Sequence, residues 1–176
     1  MTKRISNVVL AAAVAVFIFT GASSSYAQHD GHDVAIGAAG FGIGIPTMIH
    51  AQYELRLGDD ASLALRAEYG AKTDTGIVGY TGYGIGASYR FFINNDHPVR
   101  GLSVGPAVDL LFYNNSTTSR SARVVLIGAE CSYKLMLGSL SVEPQLALRI
   151  GVSSGESISK LTSTLVYPAV YVGYAW

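Results

Sequence analysis

Ten ionisable side chains of this chain occupy one parity of runs whose other parity is apolar: Glu54, Arg56, Arg66, Glu68, Arg90, Asp109, Glu130, Lys134, Glu143 and Arg149. Five are acids and five are bases, and several stand two residues apart, the repeat of a strand rather than of a helix. Unpaired in an apolar core, such groups would be very costly. In a shared polar interior they can pair and hydrate. A selective channel more often carries an excess of one sign along its wall, so the five-to-five balance points to mutual neutralisation. The pattern predicts an ion-pair network in a closed lumen. Which acid meets which base depends on the stagger of the strands, and the sequence leaves that open.

Other groups suggest chemistry without completing a site. Gln28-His29-Asp30-Gly31-His32-Asp33 is dense in metal-ligand types. Nothing else obviously completes the shell, and the expected role is a polar tail ahead of the first strand. His50 and His97 read as strand-end and turn residues. A serine hydrolase needs a base within reach of its nucleophile, and no His-x-Ser string accompanies His50. The glycines of Gly37-Ala38-Ala39-Gly40-Phe41-Gly42-Ile43-Gly44 precede no helix and no Lys-Ser/Thr, so they read as a strand whose small residues let interior side chains pass. Cys131, the only cysteine, excludes an intramolecular disulfide and reads as an outward hydrophobe. No catalytic residue, cofactor or metal is expected.

The elements that must position the ten charges are strands. Ala51, Tyr53, Leu55 and Leu57 alternate with Gln52, Glu54 and Arg56; Leu63, Leu65, Ala67 and Tyr69 alternate with Ser62, Ala64, Arg66 and Glu68. Eight such runs are expected, at about 33–44, 48–57, 61–71, 78–93, 101–113, 122–137, 140–151 and 163–176. Several reach the roughly 9–11 residues that a tilted strand needs to cross a bilayer. The connections Gly58-Asp59-Asp60, Asn94 to Pro98 and Gly138-Ser139 are mostly tight, and the third, fifth and seventh are longer and polar. Pro106, Pro144 and Pro168 fall inside expected strands, where each should mark a bulge or a weakened ladder. Tyr53, Tyr69, Tyr83, Tyr89, Phe91, Phe112 and Tyr133 should point outward.

The first residues combine Lys3-Arg4, an apolar run from Val8 to Phe19 and the small-x-small string Ser25-Tyr26-Ala27. They read as a secretory leader, 1–27, cleaved after Ala27, with one domain over 28–176. Removing Lys3 and Arg4 leaves 10 basic against 12 acidic residues, a net charge of −2. Nothing there suggests nucleic acid. A soluble barrel buries an apolar interior, whereas a membrane barrel puts its apolar face outside. Charges confined to the small-residue face favour the membrane form: an all-β, transmembrane, antiparallel up-and-down barrel of about eight strands.

Back from Trp176, alternate positions hold Tyr174, Val172, Val170, Pro168 and Val166. This resembles the C-terminal signature of outer-membrane barrels, and the whole mature segment resembles the small eight-stranded barrels of the OmpA/OmpX type. The resemblance implies that Trp176, Tyr174 and Val172 form a signal read by the barrel-assembly machinery. The expected protein is a monomeric, non-enzymatic integral outer-membrane barrel in contact with membrane lipids and lipopolysaccharide, with a structural or narrow-conduit role. A lipid A-modifying enzyme and a small-solute channel are the alternatives. Lys72, Arg120, Arg123 and Lys160 against Asp74 and Glu156 predict a basic outer rim, and Arg100 against Asp59, Asp60 and Asp96 an acidic periplasmic one.

Overall fold

The computed structural model describes residues 32–40, 48–70, 80–93, 100–115, 120–155 and 164–176. Residues 1–27, expected to be a leader, lie outside the described residues. The strands are β1 (His32–Ala39), β2 (Met48–Arg56), β3 (Ala61–Gly70), β4 (Tyr80–Phe92), β5 (Gly101–Asn115), β6 (Arg120–Leu137), β7 (Leu140–Gly155) and β8 (Thr164–Ala175). Each pairs antiparallel with the next, and β8 returns to β1 to close a barrel. Closure gives every strand two neighbours, which removes free edges.

The strand bounds follow the period-two runs with shifts at the ends. β5 and β7 continue to Asn115 and Gly155, beyond the expected 113 and 151. β1 begins at His32, one residue ahead of the expected 33, so Asp33 lies in the wall as the strand bound predicts, His32 joins it, and the reading of these two as part of a tail is corrected. Alternation sends them to opposite faces, which also prevents the two from sharing a ligand.

The outward parity carries the large apolar side chains, with Ile36, Leu65, Ile85, Ile127, Leu146 and Ile150 all exposed. The seven aromatics expected to face outward lie on this parity. Tyr83 stacks on Phe112 at 5.5 Å between centroids, and Tyr89 meets Phe91 edge-on at 4.7 Å. Cys131 is a free, exposed thiol on the same face.

The prolines leave different marks. The β4–β5 ladder reaches Ser88↔Ala107 and resumes at Phe91↔Val104, skipping the position of Pro106. The β6–β7 ladder reaches Ser132↔Gln145 and resumes at Leu135↔Val142, skipping Pro144. A proline has no N–H to offer the ladder, which accounts for both gaps. Pro168 keeps its β7 partner Leu146. Its carbonyl accepts from Gly40 N at 3.0 Å on the β1 side, beyond the last β1–β8 rung, Ala39↔Ala169.

The β1–β8 seam has the fewest rungs, from Asp33↔Ala175 to Ala39↔Ala169. It is clasped at one end by His32 N donating to Trp176 O (3.3 Å) and Trp176 N donating to His32 O (3.1 Å). A row of rings covers that clasp. His32 lies between Tyr53 at 5.9 Å and Trp176 at 6.0 Å, Trp176 stacks on Tyr174 at 6.1 Å, and His32 Nδ1 is 2.7 Å from Tyr53 Oη.

Candidate functional site: the lumen

Nine of the ten charges singled out in the sequence stand buried inside the barrel: Glu54, Arg66, Glu68, Arg90, Asp109, Glu130, Lys134, Glu143 and Arg149. Arg56 does not join them, which corrects its assignment to the network. It ends β2, its Nη2 meets Asp59 Oδ1 at 2.6 Å and its Nε donates to Gly58 O at 2.6 Å. The last residue of a strand lies at the rim, where the long side chain reaches its own turn. Asp33 takes the vacated place through Lys134 Nζ, 2.7 Å from Asp33 Oδ2. Among the described residues the lumen set is therefore six acids (Asp33, Glu54, Glu68, Asp109, Glu130, Glu143) and four bases (Arg66, Arg90, Lys134, Arg149), not five and five.

The charges form two tiers. In the middle of the barrel Arg66 and Arg149 each touch both Asp109 and Glu130. Arg66 makes contacts of 2.9 and 2.8 Å and Arg149 two of 2.8 Å. Two guanidinium forks alternating with two carboxylates satisfy several donors at once, the geometry for which arginine is suited. Arg149 Nη1 also donates to Ala129 O at 2.7 Å, tying the tier to the wall. Glu68 attends Arg66 at 3.6 Å. Gly86 makes room for this tier, because a Cβ there would meet Asp109, Glu68 and Arg66.

Nearer the tight turns, Lys134 Nζ contacts Asp33, Glu54 and Glu143, which come from β1, β2 and β7. Arg90 Nη1 reaches Glu54 Oε2 at 3.2 Å and Glu143 Oε1 at 2.9 Å, and Arg90 Nη2 donates to Gln52 Oε1 at 3.1 Å. Its Nε meets Glu130 Oε1 at 3.0 Å and joins the two tiers.

Toward the longer connections the interior changes character. Met48, Leu111, Tyr113, Val124, Leu126, Leu165 and Tyr167 are buried in one apolar cluster. Tyr171 belongs to the same cluster and lies across Gly37, whose missing side chain leaves room for the ring, and Tyr171 Oη is 2.7 Å from His50 Nδ1. His50 is thus a lumen residue and not the expected strand-end residue. His50 Nε2 and Tyr113 Oη are buried without a hydrogen-bond partner. Sequence reasoning missed this collar. The signal was present in Leu111, Tyr113, Val124 and Leu126, which share parity with charged positions of their own strands.

Among the described residues no group of three His, Cys, Asp or Glu side chains could hold a metal ion. His97, Lys72 and Lys160 lie outside the described residues.

A closed antiparallel barrel with an ionic lumen and an apolar exterior has the inside-out polarity of a transmembrane barrel. No family model and no curated protein matches the chain. Among solved structures it is similar to the backbone structure of the Yersinia pestis outer membrane protein Ail in a phospholipid bilayer nanodisc. That alignment has a TM-score of 0.47 and 12% identity, and covers 83% of this chain and 99% of that chain.

Proposed function

We propose that this chain is a non-enzymatic integral outer-membrane protein, a monomeric barrel with a closed lumen, exported behind the leader 1–27. The observation that carries the reading is the inversion of polarity. Nine charges expected on one parity, and Asp33 with them, are buried inside, while Ile, Leu, Val and Tyr of the other parity are exposed. Exposed in water, that surface would be an unusually large apolar patch. In a bilayer it is the lipid-facing band. Extraction of membranes at high pH without detergent tests this: retention in the pellet is expected, and release would sink the reading.

Closure is supported by the size of the barrel. Eight strands enclose a space that side chains can fill, and wide aqueous pores appear at about 16. The excess of acids over bases among the described lumen residues favours a second reading, a narrow cation conduit. Planar-bilayer recordings separate the two, since a closed lumen gives no steady conductance and a narrow conduit gives a small, cation-selective one.

In this reading the tight turns face the periplasm and the longer connections the outside. Basic groups there would gain from the phosphates of lipopolysaccharide. Arg123 is exposed near that end of β6, beside Phe112. Replacing Arg120, Arg123 and Lys160 by Gln should weaken co-purification of lipopolysaccharide; unchanged binding rejects that partner. Trp176, Tyr174 and Val172 are proposed as the segment read by the assembly machinery.

A further inference from the structure

Among the described residues two tyrosine–histidine pairs of equal length stand on opposite sides of the wall. Tyr171 Oη and His50 Nδ1, 2.7 Å apart, are sealed in the lumen. Tyr53 Oη and His32 Nδ1, also 2.7 Å apart, lie on the outward parity near the turn-side ends of β2 and β1. Among the described outward tyrosines, Tyr53 is the one whose hydroxyl meets a base. Tyr133, near the turn-side end of β6, is 48% exposed, more open to the bilayer than Tyr53, and has no such partner.

The imidazole is held in place. His32 lies between the ring of Tyr53, 22° from parallel, and that of Trp176, 24° from parallel, and Tyr174 stacks on the far side of Trp176. The backbone bonds between His32 and Trp176 fix the start of β1 against the end of β8. Because His32 is the first residue of its strand, a proton on its ring is close to the water at the rim.

Such a pair joins a hydrogen-atom source to a proton acceptor. A phenol that loses an electron and keeps its proton becomes a cation, which is costly at the edge of the hydrocarbon. A base within hydrogen-bond reach removes that cost by taking the proton as the electron leaves, and imidazole is suited to the exchange near neutral pH.

We propose that Tyr53 and His32 form a lipid-facing hydrogen-donor site whose reaction partner is a lipid peroxyl radical. The inference rests on the membrane reading above, which puts the turn-side end at the periplasmic interface of the bilayer. A peroxyl group is polar and moves out of the hydrocarbon toward that interface, to the level of Tyr53. Tyr53 gives the peroxyl one electron and gives His32 Nδ1 its proton, so an O–H bond breaks and an N–H bond forms. The peroxide anion takes a proton from water at the rim and leaves as the hydroperoxide. His32 returns its proton to the hydroxide left behind. One phenol and one peroxyl are consumed, and one phenoxyl radical and one hydroperoxide are formed. The Tyr171–His50 pair has the same length, but the wall separates it from lipid.

Protein in nanodiscs of polyunsaturated phospholipid, taken from preparations that resist alkaline extraction, tests the site apart from membrane insertion. Cys131→Ser serves as the parent, since an exposed thiol also gives up hydrogen. With a lipid-soluble azo initiator as the radical source, the parent should show a tyrosyl signal in electron paramagnetic resonance and delay oxygen uptake by the lipid. Tyr53→Phe should abolish both effects, and Tyr133→Phe neither. His32→Phe keeps a ring in the row without a base, and radical formation should slow about a hundredfold, the low end for a positioned base. Imidazole added to His32→Ala should restore part of the rate, which a merely structural role would not allow. Should the histidine variants fail to fold, Tyr53→Phe against Tyr133→Phe decides. A signal that survives Tyr53→Phe, or radical formation in His32→Phe as fast as in the parent, overturns the site. An alkali-resistant parent without any tyrosyl signal overturns it too and leaves the membrane reading standing.

Discussion

Toward the tight turns the lumen is held by charges; toward the longer connections it is held by rings and aliphatic side chains. The wall is the same in both regions, antiparallel strands alternating inward and outward, so the difference lies wholly in what the inward parity carries. In the ionic tiers each side chain answers to several others. Arg90 alone touches Glu54, Glu130, Glu143 and Gln52. In the collar, Leu111, Val124 and Tyr113 are held by fit, with one polar contact, between Tyr171 and His50. Ionic tiers should therefore tolerate the removal of a whole pair better than that of one partner, whereas the collar should respond to lost volume whichever residue is changed.

The largest effect should come from leaving buried charges uncompensated. Arg66→Ala strips Asp109 and Glu130 of one guanidinium each and should cost roughly 3–5 kcal/mol, read as a lower urea midpoint for unfolding from bilayers. Pairing Arg66→Met with Glu130→Gln should recover a good part of that loss. A double variant as damaged as the single one would erase the distinction between the two regions. Next comes Leu111→Ala in the collar, about 2–5 kcal/mol, with no second-site charge change able to rescue it. Tyr171→Phe keeps the ring over Gly37 but leaves His50 Nδ1 unpartnered, which should cost about 1–3 kcal/mol in the same assay. Smallest is Arg56→Ala. Its partner Asp59 is 95% exposed, so the pair should contribute at most about 1 kcal/mol, and 1 M salt should abolish the difference.

The gaps at Pro106 and Pro144 were legible in advance as weakened ladder positions, because a missing N–H is a property of the residue itself. Their meeting across one hairpin was not. Similarly, Gly37 could be read as a place where a side chain passes, but not that Tyr171 is the side chain or His50 its destination.

What the sequence determined by itself is the sorting of residues between two faces. Successive side chains of a strand point to opposite sides, so parity alone separates Glu54, Arg66, Lys134 and Arg149 from Leu65, Ile127 and Tyr133, whatever the strands pair with. The tertiary structure decided who meets whom and how far the network extends. Arg56 shares the parity of Glu54 but ends its strand at the rim and turns to Asp59, while Asp33, two residues into β1, reaches Lys134. Those outcomes depend on where each strand starts, on the stagger between neighbours and on which strands face each other across the lumen. These are properties of the closed barrel, and the period of two along any one strand does not contain them.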